Sequence, residues 1–136
     1  MKKVNTILFI DDDEATNYIH QNMVKKSKLA ITSIALSSAI VALDFLQTKI
    51  DGEYPRPDLI FLDINMPAMN GWEFLEAYKK LDAEMKGKII VVMLTTSLNP
   101  NDEKRARTLN EITDFKNKLL DAKTLEKIIH EHFPDA

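Results

Sequence analysis

The chain lacks cysteine, an excess of positive charge and any long hydrophobic run. Without cysteine it forms no disulfide and offers no sulfur ligand to zinc, which fits a reducing compartment. Because 18 Lys+Arg stand against 21 Asp+Glu, nothing predicts a general attraction to nucleic acid or to an anionic membrane. The apolar runs are too short for a membrane span or an export signal, so we expect a cytoplasmic protein with no direct contact to membrane or nucleic acid.

What the 136 residues do contain is an alternation of short apolar runs with helical patterns. The length fits one domain, and no linker, repeat or low-complexity segment appears, so we expect residues 1–136 to form a single domain without an output domain. Five apolar runs predict β-strands, at residues 6–10, 29–36, 59–62, 89–94 and 112–117. Strand followed by helix, five times over, predicts a doubly wound five-stranded parallel sheet with helices on both faces, a flavodoxin-like (βα)5 fold.

The segments between these runs carry apolar residues at helical spacing. In the first, Ala15, Ile19 and Met23 recur every four residues after the acidic run, which predicts a helix that begins near Glu14. The three histidines show no metal-ligand spacing, and Trp72 is expected to serve packing.

Polar side chains follow four of the predicted strands. The first strand ends in 11–13, an Asp-Asp-Asp run; Asp63 ends the third, Thr95 ends the fourth and Lys118 follows the fifth. Such endings converge at one edge of a parallel sheet, where ligands bind. Each also has a simpler interpretation: acids favour helix N-termini, aspartate caps turns, Thr95 is then an ordinary strand-end hydroxyl, and Lys118 an ordinary surface lysine.

Taken together, these side chains suit one chemistry. Clustered carboxylates repel one another unless a cation neutralises them, and Mg²⁺ prefers such oxygen ligands while keeping coordination positions open. An open position suits a phosphoryl oxygen. Asp63 is then placed as a carboxylate nucleophile that forms an acyl phosphate, with the Thr95 hydroxyl and the Lys118 ammonium facing the remaining oxygens.

The same residues carry a family resemblance. The combination of ILFIDDDE, DLIFLDINMP followed by NG, VVMLTTS, and a lysine after the fifth strand resembles the receiver domain of bacterial two-component response regulators, in a stand-alone, chemotaxis-regulator-like form. The resemblance covers about residues 6–133, and the run around Asp63 is its most specific part.

The resemblance implies a role for each matching position. Asp11 and Asp12 match the acid pair that binds Mg²⁺, and Asp63 matches the phosphoacceptor, itself a metal ligand. Asn65 matches the residue whose backbone carbonyl binds the metal. Thr95 matches the switch hydroxyl, and Lys118 matches the phosphate-binding lysine.

The implied partners are proteins. A histidine kinase or a histidine phosphotransfer protein would donate the phosphoryl group. A downstream protein would bind the face formed by the family's fourth helix, fifth strand and fifth helix. The chain would act as a signalling module whose only catalysis concerns its own phosphorylation and dephosphorylation.

Two positions depart from the family pattern. Leu119 follows Lys118 where proline is usual, commonly after a cis peptide bond; such a bond costs about 3 kcal/mol without proline. Phe115 stands where a switch tyrosine or another aromatic is frequent, and it has no hydroxyl. Both departures concern switching more than phosphorylation.

Two other functions fit parts of the pattern. A phosphatase resembling the haloacid dehalogenase group would use Asp11 and Asp13 as its acid pair, although Ala15 stands where that motif has Thr or Val. A receiver-like fold that never cycles, and serves only for docking, would not need the acids to bind a metal.

Overall fold

A computed structural model describes residues 4–86, 90–95, 100–108, 112–117 and 120–133. Its five strands are β1 (Val4–Ile10), β2 (Ala30–Leu36), β3 (Leu59–Asp63), β4 (Ile90–Thr95) and β5 (Ile112–Asn117). Its helices, within those ranges, are α1 (Glu14–Ser27), α2 (Ala39–Leu46), α3 (Gly71–Lys79), α4 (Ala83–Lys86), α5 (Pro100–Arg107) and α6 (Ala122–His132). Among these helices, none has the length and apolar character needed to cross a bilayer.

The five strands form one parallel sheet in the order β2-β1-β3-β4-β5. This is the doubly wound arrangement that the alternating pattern predicts. Every residue of β3 is buried, as expected for a central strand covered by helices on both faces. The prediction of the fold class is confirmed.

The core divides into two layers, one on each face of the sheet. On one face, Leu8, Ile10, Ile60 and Leu62 pack against α2 and α3. On the other, Ile7, Phe9, Leu59 and Phe61 pack against α1 and α6. Because side chains alternate along a strand, β1 and β3 contribute to both layers, and this fixes which helices flank the residues that follow them.

Local capping explains where several helices begin. Asn70 and Glu73 form a capping box at the start of α3, in which each side chain accepts a hydrogen bond from the other residue's backbone N–H, at 2.9 and 3.0 Å. Ser38 caps α2, and Asp121 caps α6 through the Thr124 N–H at 2.8 Å.

The buried face of α1 differs from the one that its apolar spacing predicts. Ile19 is 49% exposed, whereas Thr16, Asn17, His20 and Val24 are buried. Two of the polar members make buried hydrogen bonds, from Asn17 Nδ2 to the Asp11 carbonyl and from the Leu120 N–H to His20 Nε2, which offset part of the cost of burying them. The predicted helix is therefore correct; of the three apolar residues on which the prediction rests, Ala15 and Ile19 are exposed and Met23 packs against the core.

Two connections contain short regular structure. After α2, which ends at Leu46, Ile50 pairs with Glu53 in an isolated bridge. The connection after α3 contains the single turn α4.

Candidate metal and phosphoryl site

The register of the sheet brings the first and third strand endings side by side. Ile10 of β1 lies opposite Leu62 of β3, so Asp11 and Asp63 are the next residues of two adjacent parallel strands. Adjacent strands are about 4.8 Å apart. The predicted convergence of these endings is therefore a direct result of strand register.

Three carboxylates meet at this edge. Oxygens of Asp11, Asp12 and Asp63 all lie within 4.8 Å of one another. Asp11 and Asp63 are buried, 3% and 4% exposed, whereas Asp12 is exposed. Two buried acids and one exposed acid form a pocket of carboxylate oxygens that is open on one side.

The donor set suits a hard divalent cation. Carboxylate oxygens at this mutual separation can share one ion, and water can complete its coordination on the exposed side. The same arrangement is unfavourable without a cation, because like charges at this distance repel. The residues present therefore fit a divalent metal.

Backbone and side-chain hydrogen bonds hold Asp11 in place. Its Oδ1 accepts from the Asp13 backbone N–H at 2.9 Å. Its backbone carbonyl accepts from Asn17 Nδ2 at 2.8 Å, in a buried hydrogen bond from α1. Asn17 is 6% exposed, and its polarity is explained by this contact.

Asp13 has a different role from its two neighbours. It is the N-cap of α1: its carboxylate accepts from the Ala15 N–H at 3.0 Å and from the Thr16 hydroxyl at 2.9 Å. The interpretation of the acidic run as a helix N-terminus thus holds for Asp13, whereas Asp11 and Asp12 belong to the carboxylate pocket.

The remaining predicted residues follow the same sheet edge. Asp63 lies opposite Leu94 of β4, and Thr95 is the next residue of that strand. Thr95 in turn lies opposite Asn117 at the end of β5. Lys118 and Leu119 are outside the described residues, so the predictions about the lysine and its following peptide bond stay predictions.

The loop after Asp63 turns sharply. Asn65 is exposed two residues beyond Asp63, and the Gly71 N–H donates to the Ile64 carbonyl at 2.8 Å, which closes the loop onto α3. Ala68 has φ of 66°, a left-handed conformation that costs an alanine free energy.

His20 is a buried residue that the sequence pattern does not single out. It is 1% exposed on α1, and its Nε2 accepts from the backbone N–H of Leu120, at 3.1 Å. No local signal could identify this contact, because its two residues are 100 positions apart.

The fold and the acidic edge together define a class: a doubly wound α/β domain with a carboxylate pocket for a divalent cation. The family model described as the response regulator receiver domain matches residues 7–130. The chain belongs to the response regulator receiver domain family of two-component systems.

Individual relatives agree with this assignment. The response regulator Rcp1 of Synechocystis is 39% identical over 99 residues, which cover 71% of this chain and 65% of Rcp1. The rice two-component response regulator ORR1 is 30% identical over 128 residues, which cover 92% of this chain and 54% of ORR1. The chain thus spans between about half and two thirds of the length of these relatives.

Solved structures show the same architecture. A two-component response regulator from Cytophaga hutchinsonii superposes with a TM-score of 0.84 at 27% identity, covering 98% of this chain and all of that one. The Mn²⁺-bound form of Rcp1 superposes with a TM-score of 0.73 at 31% identity, covering 97% of this chain and 96% of that one.

The phosphatase interpretation based on Asp11 and Asp13 is not supported. The chain matches the receiver family over most of its length, and the Asp13 carboxylate caps α1 while Asp12 joins the carboxylate pocket. An acid pair of the haloacid dehalogenase type would need Asp13 at the reacting centre.

Proposed function

We propose that this receiver domain accepts a phosphoryl group on Asp63 in a Mg²⁺-dependent reaction. The observation that carries the proposal is the pocket of Asp11, Asp12 and Asp63, whose oxygens lie within 4.8 Å of one another at the carboxyl edge of the sheet. Asp63 is buried at the end of a buried strand, so its carboxylate is held in one place for an incoming group.

Asp11, Asp12 and Asp63 would hold the ion, and the backbone carbonyl of Asn65 is proposed as a further ligand. Rcp1 has been solved in an Mn²⁺-bound form, and Mn²⁺ is another hard divalent ion, which supports a divalent site here. When bound, Mg²⁺ neutralises charge on the carboxylates and on the phosphoryl oxygens.

The transfer is a displacement at phosphorus. An oxygen of Asp63 attacks the phosphorus of a phosphohistidine donor, the P–N bond breaks, and the donor imidazole leaves as the neutral group after protonation. The product is an acyl phosphate on Asp63. We assign to Thr95 a hydrogen bond to the phosphoryl oxygens, and to Lys118 the neutralisation of their charge.

The donor is proposed to be a histidine kinase or a histidine phosphotransfer protein. The output would be a protein that binds the surface formed by α5, β5 and α6, with no direct contact to nucleic acid. The exposed Lys104, Arg105 and Arg107 on α5 would form part of that surface. The module would work in the cytoplasm and turn over no substrate other than its own phosphoryl group.

Acyl-phosphate labelling tests the proposal. The protein is treated with acetyl phosphate and Mg²⁺, and intact-mass and peptide mass spectrometry are used to locate any added phosphoryl group. We expect one group on Asp63, lost when a chelator is added and lost in Asp63→Asn. Asp13→Asn is the matched control within the acidic run and should still be labelled.

Two results would contradict the proposal. Labelling that persists in Asp63→Asn at the same stoichiometry would move the acceptor to another residue. Absence of both labelling and Mg²⁺ binding in a folded wild-type protein would instead indicate a domain that serves only for docking.

A further inference from the structure

His20 connects α1 to the segment that leads into α6. Its Nε2 accepts a hydrogen bond from the backbone N–H of Leu120 at 3.1 Å, and this bond is buried. Leu120 is itself 5% exposed and belongs to the core layer between the sheet and α6. The contact therefore fixes a backbone atom in the protein interior.

The ring of His20 is held by stacking as well as by this hydrogen bond. Its centroid lies 5.1 Å from that of Phe9, and Phe9 lies 5.3 Å from Phe61, both in stacked geometry. Phe9 and Phe61 each precede a carboxylate of the pocket by two residues. The imidazole is thus stacked on Phe9 of β1, which in turn stacks on Phe61 of β3, the strand that ends at Asp63.

An imidazole nitrogen that accepts a hydrogen bond carries a lone pair and no proton. His20 therefore acts here as a neutral ring with its proton on Nδ1. A side chain of the same size without an acceptor at this position would leave a buried backbone N–H without this partner, which is costly.

The anchored residue follows Lys118 by only two positions. Two residues span at most about 7 Å, so fixing the Leu120 backbone limits where the α-carbon of Lys118 can lie. Residue 119 is leucine, which has no ring to restrict its φ. The hydrogen bond from the Leu120 N–H to His20 is a restraint on the backbone two positions after Lys118.

We propose that His20 is a positioning residue for phosphoryl transfer, which holds the loop after β5 so that Lys118 reaches the phosphoryl group on Asp63. This proposal rests on the proposed function. His20 does not touch the reacting atoms; it acts through the backbone of Leu120.

Two amide substitutions of His20 distinguish the effect of its hydrogen bond to the Leu120 N–H from the effect of placing a polar side chain in the core. In His20→Gln the side-chain amide can reach the position of Nε2, and its oxygen can accept from the Leu120 N–H. In His20→Asn the amide corresponds to Nδ1 and is too short. Both variants place a neutral amide in the same core, so they are matched for burial of a polar group.

The readout is the rate of labelling by acetyl phosphate at saturating Mg²⁺, with circular dichroism to establish folding and calorimetry to measure Mg²⁺ affinity. We expect His20→Asn to lower the rate on the order of tenfold and His20→Gln to keep most of it, since small displacements of a positioned group have effects of this size or larger. Mg²⁺ affinity should not change, because the carboxylates are untouched.

Repeating the His20→Asn substitution in a Lys118→Ala protein shows whether its effect on the labelling rate depends on Lys118. In Lys118→Ala, which is itself slower, His20→Asn should cause no further loss of rate. Equal losses in both backgrounds, or equal rates for the Gln and Asn variants, would overturn the proposal. If wild-type protein takes no label, the proposed function fails; if it is labelled normally and His20→Asn is too, only this inference fails.

Discussion

Replacing Asp63 by asparagine should stabilise the metal-free protein. The side chain keeps its shape and loses its charge, which removes repulsion from Asp11 and Asp12, whose oxygens lie within 4.8 Å of it. Two unit charges at that distance interact by about 3.5 kcal/mol at an effective dielectric constant near 20. The exposed Asp12 contributes less, because solvent screens it. We expect a net gain of about 1–3 kcal/mol in the free energy of unfolding.

Urea denaturation at neutral pH, with a chelator and at low salt, measures this gain. Adding Mg²⁺ should then stabilise the wild type, by about 2.7 kcal/mol when the ion is at 100 times its Kd, and should stabilise Asp63→Asn less. The advantage of the variant therefore shrinks or reverses in Mg²⁺. Added NaCl should also reduce it, by screening the exposed part of the cluster.

The exposed Asp44 on α2 provides a control, because Asp44→Asn changes the net charge equally and does not belong to the carboxylate pocket. It should leave stability nearly unchanged with and without Mg²⁺. If Asp63→Asn is less stable than the wild type in chelator, repulsion within the pocket is not the dominant effect at Asp63, and the electrostatic reasoning is refuted.

Three further predictions follow from contacts around the site. Asp13→Ala should lower the free energy of unfolding, measured by urea denaturation, by about 1 kcal/mol, because the α1 cap is lost. The variant should keep its Mg²⁺ affinity. A loss of Mg²⁺ binding would contradict the assignment of Asp13 as a cap. The Arg105 guanidinium stacks 4.4 Å from the ring centroid of Trp72, the single tryptophan. Arg105→Gln should therefore shift the tryptophan fluorescence emission to longer wavelength, whereas the control Lys104→Gln should not. Equal shifts in the two variants would count against the stacking. Hydrogen bonds from Thr124 hold the pKa of Asp121 below its ordinary value, so its contribution is present at neutral pH and is lost as pH falls through the lowered folded-state pKa. Asp121→Asn should therefore flatten the acid limb of the stability-versus-pH curve, and an unchanged limb would exclude this contribution.

Much of the candidate site could be predicted because the strands that carry it are marked by local patterns and a parallel sheet brings their ends to one edge. A buried strand is marked by a continuous apolar run, and Asp63 stands where the third run stops. In a parallel sheet the strand endings share one edge, so the positions of Asp11, Asp63 and Thr95 follow from strand order and register. The sequence did not show which acids of the run 11–13 join the pocket and which one caps α1. Capping by Asp13 depends on the backbone conformation at the start of that helix.

Residues close together in the chain are enough to specify the alternation of strands and helices, the parallel sheet and the acids at its edge. Which face of α1 is buried depends instead on contacts between distant parts of the chain. Apolar spacing favoured the side of Ile19, yet Asn17 and His20 point inward, because their partners are the Asp11 carbonyl and the Leu120 N–H. A buried polar side chain is stable only with such partners, and the Leu120 N–H, 100 residues from His20, becomes its neighbour only once the sheet has formed.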